Sequence, residues 1–278
     1  MELAKLTQQQ FEQFRDFIYS KSGIRVDERK ITLLSNRIRQ RLKARNIADY
    51  DAYYHWLRSP LGNEELEHFL DAITTNETFF FRTVAHFDWI KSEFLTEILT
   101  SQRLGQREKQ LRIWSAGCST GAEPYTMAIC MAENKFRLTG WDVSILGTDI
   151  SEKVLTEGRA GNYKQRAVEA VSESHLRRYF KQSADGQSWT VKPDVKQLVQ
   201  FHCHNLLTPL GEPPFDCIFI RNVLIYFDQD SKRKVIRNLI RALADGGYLV
   251  VGPSEGIYDM LSPLQKQKTF LYKKCDVQ

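Results

Sequence analysis

The stretch Trp-Ser-Ala-Gly-Cys-Ser-Thr-Gly-Ala-Glu-Pro-Tyr (114–125) ends an apolar run on a loop bracketed by Gly117 and Gly121. Two glycines so placed between a strand and a helix let backbone approach a ligand at the carboxyl edge of a sheet. Three ligand chemistries compete. A phosphate-cradling loop needs Gly-Lys-Ser/Thr, but Gly121 is followed by Ala122 and Glu123. A dinucleotide fingerprint needs three glycines; two are present, and a carboxylate at Glu123 would repel a pyrophosphate at the helix N-terminus. S-adenosylmethionine fits better, because it has no phosphate, carries a sulfonium and an ammonium, and has ribose hydroxyls that want an acceptor. Asp149 supplies one, at the end of the next apolar run (143–150), where doubly wound folds place the ribose-binding acid. Alone, Gly117 reads as a turn glycine and Asp149 as a helix cap. Together, strand, G-x-x-x-G, helix, strand and Asp point to a nucleoside-type ligand.

Other reactive groups are sparse. The five cysteines (118, 130, 203, 217 and 275) are scattered and odd in number, with no C-x-x-C pair. A disulfide framework and a zinc knuckle are thereby disfavoured, and a reducing cytoplasm is expected. His202-Cys203-His204 looks like a ligand cluster. In a strand, however, the two His share one face and Cys203 points away, so these residues are expected beside a core, with Cys203 buried. No metal site and no Ser-His or Cys-His nucleophile pair is evident.

The elements that must hold these groups divide into two halves. Residues 1–75 read as a small helical bundle. Thr7 and Gln10 form a capping box before Phe11, Phe14 and Ile18, and Gly23 stops the helix. Ile31, Leu34, Ile38 and Leu42 make a second apolar stripe, with Lys30, Arg37, Arg41 and Arg45 on another stripe of the same helix. Residues 76–110 read as a linker and one connecting helix (84–103). From 111 to 278 strands alternate with helices, which predicts an α/β domain built on a doubly wound parallel sheet. An Asp-Gly turn signal within 183–204 predicts an inserted antiparallel hairpin.

Bulk properties bound the class. The 278 residues are 42% hydrophobic and 26% charged, with a net charge of +5, ordinary for a folded chain. The first ten residues lack the apolar core of a signal peptide, and no run reaches the roughly 20 residues of a membrane helix. Charge is unevenly spread. Residues 21–45 carry a local balance of +7 and residues 46–75 one of −5, which suggests an acidic partner.

Two further stretches stand out: Asn-Glu-Thr-Phe-Phe-Phe-Arg (76–82), whose aromatics neither helical nor strand periodicity explains, and Phe-Ile-Arg-Asn-Val-Leu-Ile-Tyr-Phe-Asp (219–228), which runs on from a buried strand read at 215–222. With 114–129 and Gly-Thr-Asp-Ile-Ser (147–151), in this order and spacing, they make the chain resemble the CheR family of chemotaxis receptor methyltransferases over nearly its whole length. The resemblance implies a class I methyltransferase domain behind a helical front domain, and methylation of glutamate side chains on the cytoplasmic helical bundle of transmembrane chemoreceptors. It implies cofactor contacts at Asn76, Thr78, Arg82, Glu123, Asp149, Asn205, Leu206, Arg221 and Asn222, beside Gly117. In some members the β-subdomain docks a pentapeptide at the receptor's C-terminus. A cytoplasmic monomer associated with receptor arrays is expected, with no nucleic acid and no membrane insertion.

A glutamate acceptor, with a reference pKa of about 4.3, is ionised at pH 7 and needs no strong base. The site must instead hold the carboxylate on the axis of the sulfonium methyl and exclude water. Arg82 and Tyr226 are the expected catalytic donors, and the three phenylalanines are expected as core and pocket wall. Alone, Tyr226 reads as a packed strand-end aromatic and Arg221 as half of a buried ion pair; their place in the motif favours the functional reading. Arg37, Arg41 and Arg45 are expected to meet the acidic receptor helix. Two other readings compete, a cofactor-sensing or receptor-docking module without turnover and an RNA methyltransferase using the basic helix. The latter lacks interleaved aromatic stacking residues.

Overall fold

The computed structural model describes residues 5–74 and 76–275. In the front bundle, Thr7 Oγ1 accepts from Gln10 N at 3.2 Å and Gln10 Oε1 from Thr7 N at 3.1 Å. This reciprocal cap starts helix α1 (Gln8–Ser22), which ends at Gly23 with φ 71°. Helices α2 (Ile31–Arg45), α3 (Tyr50–Arg58) and α4 (Asn63–Ile73) follow. Phe11, Phe14, Ile38, Tyr53 and Phe69 are fully buried between them. One carboxylate lies inside this bundle. Glu65, with no exposed side-chain surface, accepts from Arg41 Nε and Nη2 at 2.8 Å each, from Arg45 Nε at 2.5 Å and from Tyr53 Oη at 2.6 Å. Burial penalises its charge, but these donors outweigh that and lower its pKa.

The connecting region is an interrupted helix. Helix α5 (Val84–Trp89) runs through a π turn (Ile90–Phe94) into helix α6 (Leu95–Arg103). The main sheet then begins with strand β1 (Gln110–Ala116), helix α7 (Ala122–Glu133), strand β2 (Asp142–Asp149) and helix α8 (Glu152–Ala160). Ser151 caps α8 by accepting from Val154 N at 3.3 Å.

A small sheet interrupts the alternation, and its bounds differ from the expected hairpin at 183–204. It contains strands β3 (Asn162–Lys164), β4 (Phe180–Gln182) and β5 (Ser188–Val191), in the order β3-β5-β4. Helix α9 (Glu173–Tyr179) lies between β3 and β4, and the short helix α10 (Pro193–Lys196) follows β5. Strand β6 (Val199–Cys203), expected in the hairpin, pairs parallel with β2 and forms an edge of the main sheet. Being an edge strand, it leaves His202 and Cys203 exposed, which corrects the expectation of a buried thiol. Local turn chemistry identified the Asp-Gly reversal but could not identify the partners of its flanking strands.

The main sheet continues with strand β7 (Phe215–Ile220), helix α11 (Gln229–Ala242), strand β8 (Leu243–Val251), strand β9 (Leu264–Lys268) and strand β10 (Leu271–Lys274). Its order is β6-β2-β1-β7-β8-β10-β9; the first five are parallel, and β10 pairs antiparallel with both β8 and β9. Strand alternation splits the core. Ile113, Cys217, Phe219 and Val250 pack with Phe87, Phe94, Met127 and Ile129 on one face. Trp114, Ile218, Leu249 and Val251 pack with Val235 and Leu239 of α11 on the other. Both faces are covered, as parallel strands require. Strand order reverses between β1 and β7, and a ligand crevice belongs at such a switch point.

The bundle closes over that crevice. Arg25 N donates to Tyr226 O at 2.8 Å, Tyr19 Oη to Asp228 Oδ2 at 2.8 Å and Asn205 Nδ2 to Lys21 O at 2.9 Å. Among the described residues, no helix is long and apolar enough to cross a membrane.

Candidate active site

A pocket lies between the bundle and the carboxyl ends of β1, β2, β6 and β7. The loop after β1 turns sharply at Gly117, with φ 75°. A Cβ there would lie 2.4 Å from Val223 Cγ2, so the loops after β1 and β7 meet only because residue 117 has no side chain. Gly117 N and Cys118 N both donate to Thr148 O at 2.8 Å. Ser119 N then donates to Asp149 Oδ2 at 2.9 Å, and Ser151 N to Asp149 Oδ1 at 3.0 Å. Each Asp149 oxygen keeps acceptor capacity beside the pocket. Burial raises the carboxyl's pKa, and the amide donors work against that rise. A dry acceptor at the end of β2, next to a glycine loop, fits ribose hydroxyls, so the residues present suit S-adenosylmethionine.

Arg221, at the end of β7, is nearly enclosed, with 2% side-chain exposure. Its Nη1 donates to Glu123 Oε2 at 2.9 Å, and its Nη2 to Arg82 O at 2.7 Å and Thr83 Oγ1 at 2.8 Å. Ser115 Oγ donates to Glu123 Oε1 at 2.8 Å. Arg221 therefore forms a buried ion pair with Glu123 and ties the motif at 219–228 to the one at 76–82. Both side chains also border the pocket, and the remaining lone pairs of Glu123 suit an ammonium.

The three phenylalanines have separate tasks. Only Phe79 lines the pocket, and the Arg82 guanidinium sits 5.5 Å from its ring centroid. Phe80 is fully buried, edge-on to Tyr163 at 4.8 Å and Phe180 at 5.0 Å. Phe81 stacks on His175 at 5.3 Å, and its N–H donates to Thr126 Oγ1 at 3.1 Å. Core and pocket-wall aromatics were expected; an irregular backbone leaves Phe79 at the pocket and turns the other two into the core. Phe81, Thr83, Ser119 and Asn222 all have positive φ, and all lie at this junction; Asn46, the other such non-glycine residue among those described, ends α2. Such strain costs on the order of 1–3 kcal/mol each and needs surrounding contacts to hold it.

The remaining expected site residues also reach the pocket. Arg82 and Tyr226 both line it, Arg82 with Nη1 3.4 Å from Glu77 O, Tyr226 with its ring 6.0 Å from Lys30 Nζ. Asn76, Thr78 and Leu206 line it as well. Asn205 does too, with Nδ2 on Lys21 O and Oδ1 accepting from Leu207 N at 3.1 Å. Arg37 faces the pocket, donates to Ile73 O and has its pKa lowered by burial. Arg41 and Arg45 do not line the pocket and are engaged with Glu65.

One residue was not singled out from sequence. Glu255, 1% exposed, accepts from Asn222 N and from Leu224 N at 2.8 Å. A lone acid between two glycines after an apolar strand, Gly-Pro-Ser-Glu-Gly (252–256), is the only local signal. No cluster of His, Cys, Asp and Glu suited to a metal occurs among the described residues.

Residues 76–271 match the family model described as "CheR methyltransferase, SAM binding domain", and residues 9–74 match "CheR methyltransferase, all-alpha domain". The chain is thus a methyltransferase of the class I fold that uses S-adenosylmethionine. It belongs to the CheR methyltransferase family. It is 34% identical to a chemotaxis protein methyltransferase of Borreliella burgdorferi, with 91% of this chain and 89% of that protein covered. It is 36% identical to chemotaxis protein methyltransferase 1 of Pseudomonas aeruginosa, covering 90% and 91%. With a chemotaxis protein methyltransferase of Vibrio parahaemolyticus it shares 33% identity over 96% and 98%.

Proposed function

We propose that this methyltransferase esterifies glutamate side chains on the cytoplasmic helical region of chemoreceptors, adjusting receptor signalling for adaptation. The carrying observation is that Arg82 and Tyr226 border the same pocket as Asp149 and Glu123, while no nucleophile–base pair does so among the described residues. Cys118 is buried, its thiol directed to Ser119 O at 3.6 Å, and burial raises its pKa well above the usual range. His204 packs edge-on to Trp114 at 5.9 Å. A site without a nucleophile–base pair suits an acceptor that is already ionised, and a carboxylate meets that condition.

Bound S-adenosylmethionine supplies the electrophilic sulfonium methyl. Asp149 would hold its hydroxyls and Glu123 its ammonium, with Asn76, Thr78, Leu206 and Asn222 completing the cradle beside Gly117. Arg82 and Tyr226 orient the incoming carboxylate. Orientation of this kind contributes roughly 7–11 kcal/mol in favourable systems. The donors must remain weak enough in the ground state to leave the carboxylate nucleophilic.

The basic side of α2 meets the acidic receptor helix. Arg41, Arg45 and Glu65 together retain one positive charge, and Arg37 adds another at the pocket. The three-stranded sheet has edge strands β3 and β4; in this reading a receptor's C-terminal pentapeptide adds to one of them as a further strand. The enzyme works as a cytoplasmic monomer at receptor arrays. Incubation with methyl-labelled cofactor, receptor-containing membranes and, separately, RNA tests the acceptor class. Alkali-labile label on the receptor supports the proposal; base-stable label on RNA, or cofactor binding without transfer, contradicts it.

A further inference from the structure

The loop after β7 carries Asn222 and Tyr226 within five residues, and its own sequence does not fix its shape. Asn222 has φ 59°, in the left-handed region, which asparagine tolerates better than most L-residues but which still needs contacts to select it. One such contact comes from 33 residues further along the chain. Glu255 Oε1 accepts from Asn222 N, and Glu255 Oε2 accepts from Leu224 N at 2.8 Å. One carboxylate therefore holds two amides on either side of Val223, the residue that packs against Gly117.

The surroundings are fitted to that carboxylate. A Cβ at Gly252 would lie 2.5 Å from Glu255 Oε1, so only glycine leaves room for it. Lys232 Nζ donates to the main-chain oxygen of Glu255 at 2.6 Å and fixes its backbone. Burial nonetheless pushes the Glu255 pKa up, against the pull of the loop amides. Among the described residues no cation bonds its oxygens, Lys232 acting on them only from the backbone side, and such a buried carboxylate is a poor device for stability alone. Its two oxygens are, however, suited to clamping two backbone donors at once, one on each, whereas a neutral amide would set an NH2 donor against one of them.

We propose that Glu255 is a positioning residue for methyl transfer: its carboxylate clamps the Asn222–Leu224 backbone so that Asn222 faces the cofactor and Tyr226 faces the acceptor. This rests on the reading of the pocket as the transfer site. Glu255→Gln keeps the shape and replaces one acceptor by a donor. Amide hydrogen exchange should quicken at Asn222 and Leu224 while Phe219 and Ile220 in β7 stay protected. In the same protein kcat should fall by roughly 10- to 100-fold, the scale of a small misplacement of reacting groups. Glu255→Asp, which keeps the charge but withdraws it by one methylene, is read in the same way if the amide variant does not fold. Turnover within twofold of the parent, uniform loss of protection, or failure of both variants to fold would overturn the positioning role. A parent chain that binds no S-adenosylmethionine would instead remove the reading of the pocket.

Discussion

Arg221 Nη2 donates to the main-chain oxygen of Arg82 at 2.7 Å, across 139 positions of sequence. The bond joins the stretch at 76–82 to the one at 219–228. It fixes the backbone of Arg82 while leaving that residue's own guanidinium over Phe79, at the pocket. It also explains how Thr83, a β-branched residue, is held at φ 64°, since the same guanidinium nitrogen bonds Thr83 Oγ1.

Arg221→Met should therefore damage fold and activity together. Glu123, with 14% side-chain exposure, would lose its cation, and removing one member of a buried pair costs about 3–5 kcal/mol. Urea unfolding should show that loss, with turnover abolished. A variant as stable as the parent would mean that the pair is dispensable and that Arg221 acts only on ligand.

Arg82→Ala should separate the two effects. The side chain is only partly buried and makes one long bond, to Glu77 O at 3.4 Å. Thermal unfolding should stay near that of the parent while methylation falls by at least about 100-fold, as expected for a lost orienting group. Near-normal methylation by a folded variant would make the arginine structural.

His86 gives a pH signature. It is 2% exposed, stacks on Phe270 at 4.2 Å and has no partner at Nδ1 among the described residues. Burial, followed by repulsion from Arg221, pushes its pKa from 6.5 down to about 4. The unfolded chain then takes up the proton first. Stability contributed by neutral His86 is complete above pH 6.5 and lost progressively towards pH 4, on the order of 3 kcal/mol in all. His86→Phe should flatten that part of the stability profile. Profiles that remain parallel from pH 7 down to about pH 4 would contradict this assignment.

The placement of Arg41 changes how receptor docking must be tested. Arg41→Glu would set a second carboxylate beside buried Glu65 and destabilise the bundle, so lost methylation would not report docking. Lys30 is exposed but lies over Tyr226, so Lys30→Glu is read by the split between kcat and KM: docking predicts unchanged unfolding and kcat and a several-fold higher KM for receptor at low salt. That difference should shrink as salt screens it. A salt-independent KM equal to the parent's would remove the basic face from docking.

Elements with strong local rules were legible in the sequence. The Thr7 capping box, the Gly23 stop, the Ser151 cap and the strand–glycine loop–helix unit appear as expected. Partnerships set by distant contacts were not. The Asp185-Gly186 reversal was visible, but β6 joining β2 depends on sheet register, which no short window contains. Which of the three phenylalanines faces the pocket was not legible, because the stretch has no period to assign faces and its backbone turns through positive φ at Phe81 and Thr83. Glu255 stayed hidden because its function is to accept two main-chain hydrogens, which side-chain patterns do not record.

The central claim is transfer to a glutamate carboxylate oriented by Arg82, and the most direct measurement is mass-spectrometric mapping of the methyl group. Receptor membranes treated with isotopically labelled cofactor would be digested after incubation with the parent or with Arg82→Ala. Methyl esters on glutamates of the receptor's cytoplasmic helices, removed by alkali and absent with the variant, are the expected result. Label on nitrogen, sulfur or RNA, or equal esterification by the folded variant, would contradict it.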